Sequence, residues 1–185
     1  MQWNLPGTTL TVSTQDMALA EERLRAMFLA GGIVLSQVST ITGLEPYTIQ
    51  NWVKRGFLTN PQNKRYTLRQ LCRILNINML KDALAMEQIC GLMSYINGHM
   101  DDESDDIIDD AELYFMFVRL AMHHRRMNDP TGRDQYLQEI LADYREPVPG
   151  AKERVEQVLR VMLTAWAAAQ LRQTAEKMVK ELKAN

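Results

Sequence analysis

The chain has 185 residues, 46% of them hydrophobic, a formal net charge of −2 and two cysteines. That is ample apolar material for one or two small domains with real cores, and too much for a disordered chain. No apolar run nears the roughly 20 residues that span a bilayer, no basic-then-apolar leader opens the chain, and Cys72 and Cys90 have neither disulfide nor zinc spacing. A cytoplasmic protein with two buried thiols, no metal and no cofactor is expected.

In chain order, Met17, Ala20, Leu24, Met27 and Phe28 predict an amphipathic helix over 16–30, ended by Gly31-Gly32. Leu35, Val38 and Ile41 share one face of a short helix beginning near Ser36, which Gly43 stops. Glu45 is placed to cap the next helix and Pro46 suits its first turn. Ile49, Trp52 and Val53 then give the inward stripe of a helix over 46–55, closed by Gly56. With that stripe buried, the opposite face displays Tyr47, Thr48, Gln50, Asn51 and Lys54, side chains able to bond base edges and phosphates. Phe57 and Leu58 return to the core, Asn60-Pro61 reads as a turn, and Asn63, Lys64 and Arg65 form a polar tip ahead of Tyr66. Thr67 and Gln70 match a capping box, and Leu68, Leu71, Cys72 and Leu75 continue as a third apolar stripe.

The order helix, turn, helix, short hairpin, helix resembles the winged helix-turn-helix DNA-binding domain of MerR-type bacterial regulators over residues 35–96. The family pattern TG-x-S-x-x-T-[LI]-x-x-[YW]-x-x-x-G-[LF]-[LI] recurs as TGLEPYTIQNWVKRGFL, and its closing R-Y-[ST]-x-x-x-L as RYTLRQL. The remainder is similar to a group of regulators from low-GC Gram-positive bacteria. The resemblance implies groove-facing roles for Tyr47, Thr48, Gln50 and Asn51, and phosphate contacts for Lys54, Arg55, Lys64 and Arg65. Base preference does not carry over, because Tyr47 stands where the family usually has arginine, Asn51 where it often has an aromatic, and the hairpin is shorter and lacks its glycine. Charge agrees: residues 31–81 hold seven Lys/Arg and a single acid, Glu45, the segregation a phosphate-facing surface needs.

Leu80, Leu84, Met86, Ile89, Cys90, Met93 and Ile96 predict a further helix, terminated by Gly98. Residues 99–108 then read as a solvated acidic linker that also caps the following helix. Asp101, Glu103, Asp105, Asp109 and Glu112 fall at calcium-loop positions, but Asp106 occupies the position that demands glycine, so a linker is the better reading. Beyond it, 109–127 is helical and apolar nearly all round. The adjacent His123 and His124 make a poor chelate. Tyr136, Leu137, Ile140, Leu141 and Tyr144 mark a shorter helix, and one long helix runs from Ala151 to about Lys183.

The expected architecture is mainly α: an N-terminal MerR-like winged helix-turn-helix with a small wing over 1–98, a linker over 99–108, and a C-terminal helical bundle over 109–185. No nucleotide-binding, hydrolase or metalloprotease motif appears, so an enzyme is not expected. The expected function is a homodimeric transcriptional regulator of duplex DNA, with no membrane partner and with Phe117, Met162 and Trp166 at the dimer seam. Two alternatives are an interaction protein that never touches nucleic acid, and a sensor holding a small-molecule effector near Tyr114, Phe115 and Phe117.

Overall fold

The computed structural model describes residues 2–13, 17–98, 103–127 and 130–184. It is mainly helical. Two short strands, β1 (Gln2–Asn4) and β2 (Thr11–Ser13), pair antiparallel ahead of α1 (Met17–Ala26). β3 (Ile33–Val34) leads into α2 (Leu35–Thr42) and α3 (Pro46–Lys54), and β4 (Arg65–Tyr66) pairs back onto β3. The helices α4 (Leu68–Leu80), α5 (Met86–Asn97), α6 (Asp110–Met127), α7 (Pro130–Ile140) and α8 (Ala151–Ala184) complete the chain.

The predicted capping box starts α4: the Gln70 backbone N–H donates to Thr67 Oγ1 at 3.2 Å, and Gln70 Oε1 accepts from the Thr67 backbone N–H at 2.9 Å. Leu71, Ile74, Leu75 and Leu80 are fully buried, because α4 runs through the middle of the molecule and packs on α2, α5, α6 and α8. The N-terminal hairpin, which sequence periodicity does not reveal in strands of three residues, is tied to this centre. Asn78 donates to the Gly7 carbonyl at 2.8 Å, and the Tyr114 hydroxyl donates to the Pro6 carbonyl at 2.9 Å.

The nearly all-apolar α6 is covered by the chain itself. Leu113, Tyr114, Phe117 and Leu120 are fully buried, and Phe117 meets Trp166 of α8 edge-on with ring centroids 6.1 Å apart. Phe117, Met162 and Trp166, expected at a dimer seam, are therefore interior residues of one subunit, 0%, 0% and 8% exposed. Apolar excess was the reason to place them at a seam, and the single chain hides that excess. Tyr114, Phe115 and Phe117 are likewise filled core. His123 stacks on Tyr136 at 3.9 Å between ring centroids.

The described part of the expected linker is not a solvated tether. Ile107 and Ile108 are buried, the Ile107 N–H donates to the Ile96 carbonyl at 3.0 Å, and Asp106 pairs with Arg69. Asp110 is buried 3.3 Å from Arg73. The capping role does hold: Asp109 Oδ1 accepts from the Ala111 and Glu112 N–H groups at 2.8 and 3.3 Å. Asp101 of the calcium-loop pattern lies outside the described residues, and among those described no cluster of three His, Cys, Asp or Glu is placed to hold a metal. Cys72 is buried, whereas Cys90 is only half-buried. No helix among the described residues is long and apolar enough to cross a membrane.

Candidate nucleic-acid interface

The α2–α3 unit is shaped by its turn. Gly43 ends α2 at φ +70°, a left-handed conformation that an L side chain resists, and its N–H returns to the Ser39 carbonyl. Ser39 Oγ then donates to the Leu44 carbonyl at 2.6 Å, and Leu44 is buried, so the three-residue turn is held from both sides. Glu45 sits at the cap position of α3 but makes no side-chain capping bond; its carbonyl, not its carboxylate, accepts from the Thr48 N–H at 2.9 Å. Ile49 and Trp52 anchor α3 in the core at 0% and 5% exposure, while Val53 is half-buried.

That anchoring decides what α3 shows to solvent. Tyr47, Gln50, Asn51 and Lys54 follow i, i+3, i+4, i+7 spacing and form one outward stripe. Tyr47, Gln50 and Lys54 are exposed and Asn51 half-buried, with Thr48 half-buried and Arg55 exposed on the flanks. The Arg55 guanidinium lies over the Phe57 ring, 4.5 Å from its centroid, and this contact fixes its direction.

The short hairpin stands beside this stripe. Its tight turn lies at Asn63-Lys64, not at Asn60-Pro61: both residues have positive φ, 50° and 60°, and the Arg65 N–H donates to the Gln62 carbonyl at 2.9 Å. Two successive left-handed residues make the turn whose twist suits a two-residue hairpin. Lys64 is thereby put at the tip. Arg65 donates to the Gly32 carbonyl at 2.9 Å across the β3–β4 ladder, so it is exposed yet held. Gly32 is required there, since a Cβ would lie 2.7 Å from the Tyr66 carbonyl oxygen. An open groove of about 660 Å³ separates α3 from the hairpin, with Gln50 and Val53 on one wall and Pro61 and Lys64 on the other.

Gln70 is the positioning residue that motif reading missed. Beyond its cap role, its amide nitrogen bonds the Thr59 carbonyl, the Thr59 hydroxyl and the Asn60 carbonyl at 3.1, 2.9 and 3.2 Å. It therefore sets the loop that carries the hairpin. The capping-box signature shows Gln70 in the sequence, but its second use depends on a residue eleven positions earlier.

The positive charge of residues 31–81 divides into two groups. Lys54 and Arg55 at the end of α3 and Lys64 and Arg65 on the hairpin are exposed, Lys64 alone of the four lining the groove, and among the described residues none is ion-paired to a carboxylate. Arg69 and Arg73 face the other way. Arg69 reaches Asp106 and lies 4.0 and 3.8 Å from the Asp109 and Asp110 carboxylates, while Arg73 serves Asp110. Lys81 is 3.9 Å from Asp82. Burial raises the Asp110 carboxyl above its ordinary range, and Arg73 and then Arg69 pull it back only in part. Asp106 is raised for the same reason, against the pull of Arg69.

Residues 17–117 match the family described as a domain of unknown function, DUF1836, and the chain belongs to that family. It is also similar to the "Uncharacterized protein YkrK" of Bacillus subtilis (strain 168), at 25% identity over 164 residues that cover 81% of this chain and 70% of the relative. No solved structure matches it.

Proposed function

We propose that this member of the DUF1836 family is a bacterial transcriptional regulator that binds duplex DNA, with α3 entering the major groove. On this reading α2 and α3 are a helix-turn-helix, the β3–β4 hairpin is a reduced wing, and the unit is MerR-like. The observation that carries the proposal is the outward stripe of Tyr47, Gln50, Asn51 and Lys54, flanked by exposed cations with no carboxylate partner among the described residues and facing Lys64 across an open groove. An α-helix is about 10–12 Å wide with its side chains, and the major groove is about 12 Å wide. Gln50 and Asn51 carry the donor–acceptor amides that read adenine N6 and N7, and Lys54, Arg55, Lys64 and Arg65 supply phosphate contacts that set register without reading sequence.

Fluorescence anisotropy of the full chain on a labelled duplex of arbitrary sequence tests this. Weak binding at low salt that collapses as salt rises is the expected result, because phosphate neutralisation supplies nearly all non-specific affinity. Absence of any binding at low ionic strength would overturn the proposal and favour a purely protein-assembling module.

A further inference from the structure

A cavity of about 290 Å³ adjoins the loop that carries the hairpin, and its lining includes Arg69, Arg73, Asn97, Asp106 and Asp110. These side chains come from α4, the end of α5 and the segment entering α6, so only the closed fold brings them together. Their polar groups are not all satisfied. Arg69 pairs with Asp106, and Arg73 reaches Asp110 at 3.3 Å through one terminal nitrogen. The Arg73 Nε–H, both polar atoms of the Asn97 amide and Asp106 Oδ1 are buried and have no hydrogen-bond partner among the described residues. Of the seven buried side-chain atoms left unpaired in this way, four thus belong to one cavity. Asn97 is 4% exposed. A buried amide that bonds nothing costs the fold stability that a leucine of similar size would not, so its presence calls for an occupant.

We propose that this cavity binds a small zwitterion, a free α-amino acid in the simplest case. Two of the idle atoms are donors, Arg73 Nε and Asn97 Nδ2, and two are acceptors, Asn97 Oδ1 and Asp106 Oδ1. An α-carboxylate takes the two donors, and an α-ammonium serves the two acceptors. The charges agree. Among the lining residues Arg69 and Arg73 balance Asp106 and Asp110, so a guest of net charge would leave a buried charge uncompensated, whereas a zwitterion leaves none. A neutral amide matches the count of donors and acceptors, but it forgoes the stronger bonds that a guanidinium and a carboxylate form with charged partners. Volume sets the size: about 290 Å³ lies just below the roughly 300 to 1,000 Å³ of pockets for drug-sized ligands, which suits one amino acid and not a nucleotide. The site also touches the hairpin loop. Gln70 lines the same cavity with Thr59 and Asn60, to which its amide is hydrogen-bonded.

The binding site stands on the cavity alone, while its consequence for duplex affinity, through the loop that sets the hairpin, rests on the regulator reading. Thermal unfolding of the full chain with each of the twenty common L-amino acids, supplied singly at millimolar concentration, tests the site. At least one should raise Tm, by roughly 5–10 °C once it exceeds its Kd about a hundredfold, and titration calorimetry should give one site per chain. Its N-acetyl and its amide derivatives, each lacking one of the two charges, should bind roughly tenfold more weakly or worse. Asn97→Leu should unfold no lower than wild type without ligand yet lose the ligand-induced shift, and Asp106→Asn should weaken binding by roughly tenfold. Absence of any shift or heat with every amino acid, the behaviour of a cavity that holds only ordered water, would overturn the proposal, as would equal binding of the singly charged derivatives or binding untouched by both substitutions. Duplex affinity measured with and without the bound amino acid should differ several-fold; a thermal shift with unchanged duplex affinity would refute the coupling to the hairpin. A thermal shift in a chain that binds no duplex even at low salt would instead fault the regulator reading and leave the site standing.

Discussion

Replacing Lys54 and Lys64 together by alanine isolates the electrostatics of the interface. Both are exposed, and neither is ion-paired or hydrogen-bonded to another side chain among the described residues, whereas Arg55 stacks on Phe57 and Arg65 bonds the Gly32 carbonyl, so changing the arginines would also disturb the scaffold. Each copy exposes four cations on α3 and the hairpin, Lys54, Arg55, Lys64 and Arg65. If each neutralises one phosphate, the logarithm of affinity falls with the logarithm of salt at a slope of about −3.6 per copy and about −7 for a two-fold pair. Between 50 and 200 mM salt the pair then loses roughly 10⁴ in affinity. Removing two lysines per copy halves the slope to about −3.6, and the same salt interval costs only roughly 10². Anisotropy titrations on one duplex at four or five salt concentrations, with circular dichroism to confirm an intact fold, give both slopes. A variant slope equal to wild type would refute the assignment of Lys54 and Lys64 as phosphate contacts, whatever the absolute affinity.

Base readout is separate: Gln50→Ala and Asn51→Ala should each shift the preferred sequence, by about 1–3 kcal/mol per lost bidentate contact, with the salt slope unchanged; unaltered preference in a random-duplex selection would place readout elsewhere. In the buried pair, Arg73→Met leaves the Asp110 carboxylate only Arg69, 3.8 Å away, and should cost up to about 3–5 kcal/mol at neutral pH by urea unfolding. Because the folded pKa of Asp110 is raised, its protonated form is the one favoured by folding, so stability falls as pH climbs through the carboxylate range, and the Arg73→Met deficit should shrink on acidification. By the same sign Asp110→Asn, a neutral mimic of the protonated acid, should be nearly harmless at neutral pH; a loss as large as that of Arg73→Met would contradict the burial argument. Thr67→Ala removes one half of the capping box and should cost about 1 kcal/mol, seen as a fall of roughly 2–4 °C in Tm. Gln70→Ala should cost more than Thr67→Ala in DNA affinity, since it also frees the loop at Thr59 and Asn60.

Local order along the chain was legible from the residues alone, because its causes are local. Three- and four-residue apolar spacing located α2, α3 and α4, Gly43 and Gly56 closed the first two, and Thr67 with Gln70 started the third. The same periodicity turned Tyr47, Gln50, Asn51 and Lys54 outward once Ile49 and Trp52 were taken inward. What periodicity cannot report is the identity of the surface that covers a buried face. Phe117 and Trp166 are far apart in sequence and satisfy each other, so a stripe that looked like a seam is core, while the exposed end of α8 looks no more apolar than the buried part. Charge behaves alike. Arg69 and Arg73 were indistinguishable by composition from Lys54 and Lys64, and only the docking of Asp106 and Asp110, 37 residues away, decided that one pair of cations holds the fold together and the other faces solvent. Helices follow from interactions three or four residues apart, whereas the partner of a buried face or a paired charge is chosen by how the whole chain closes on itself.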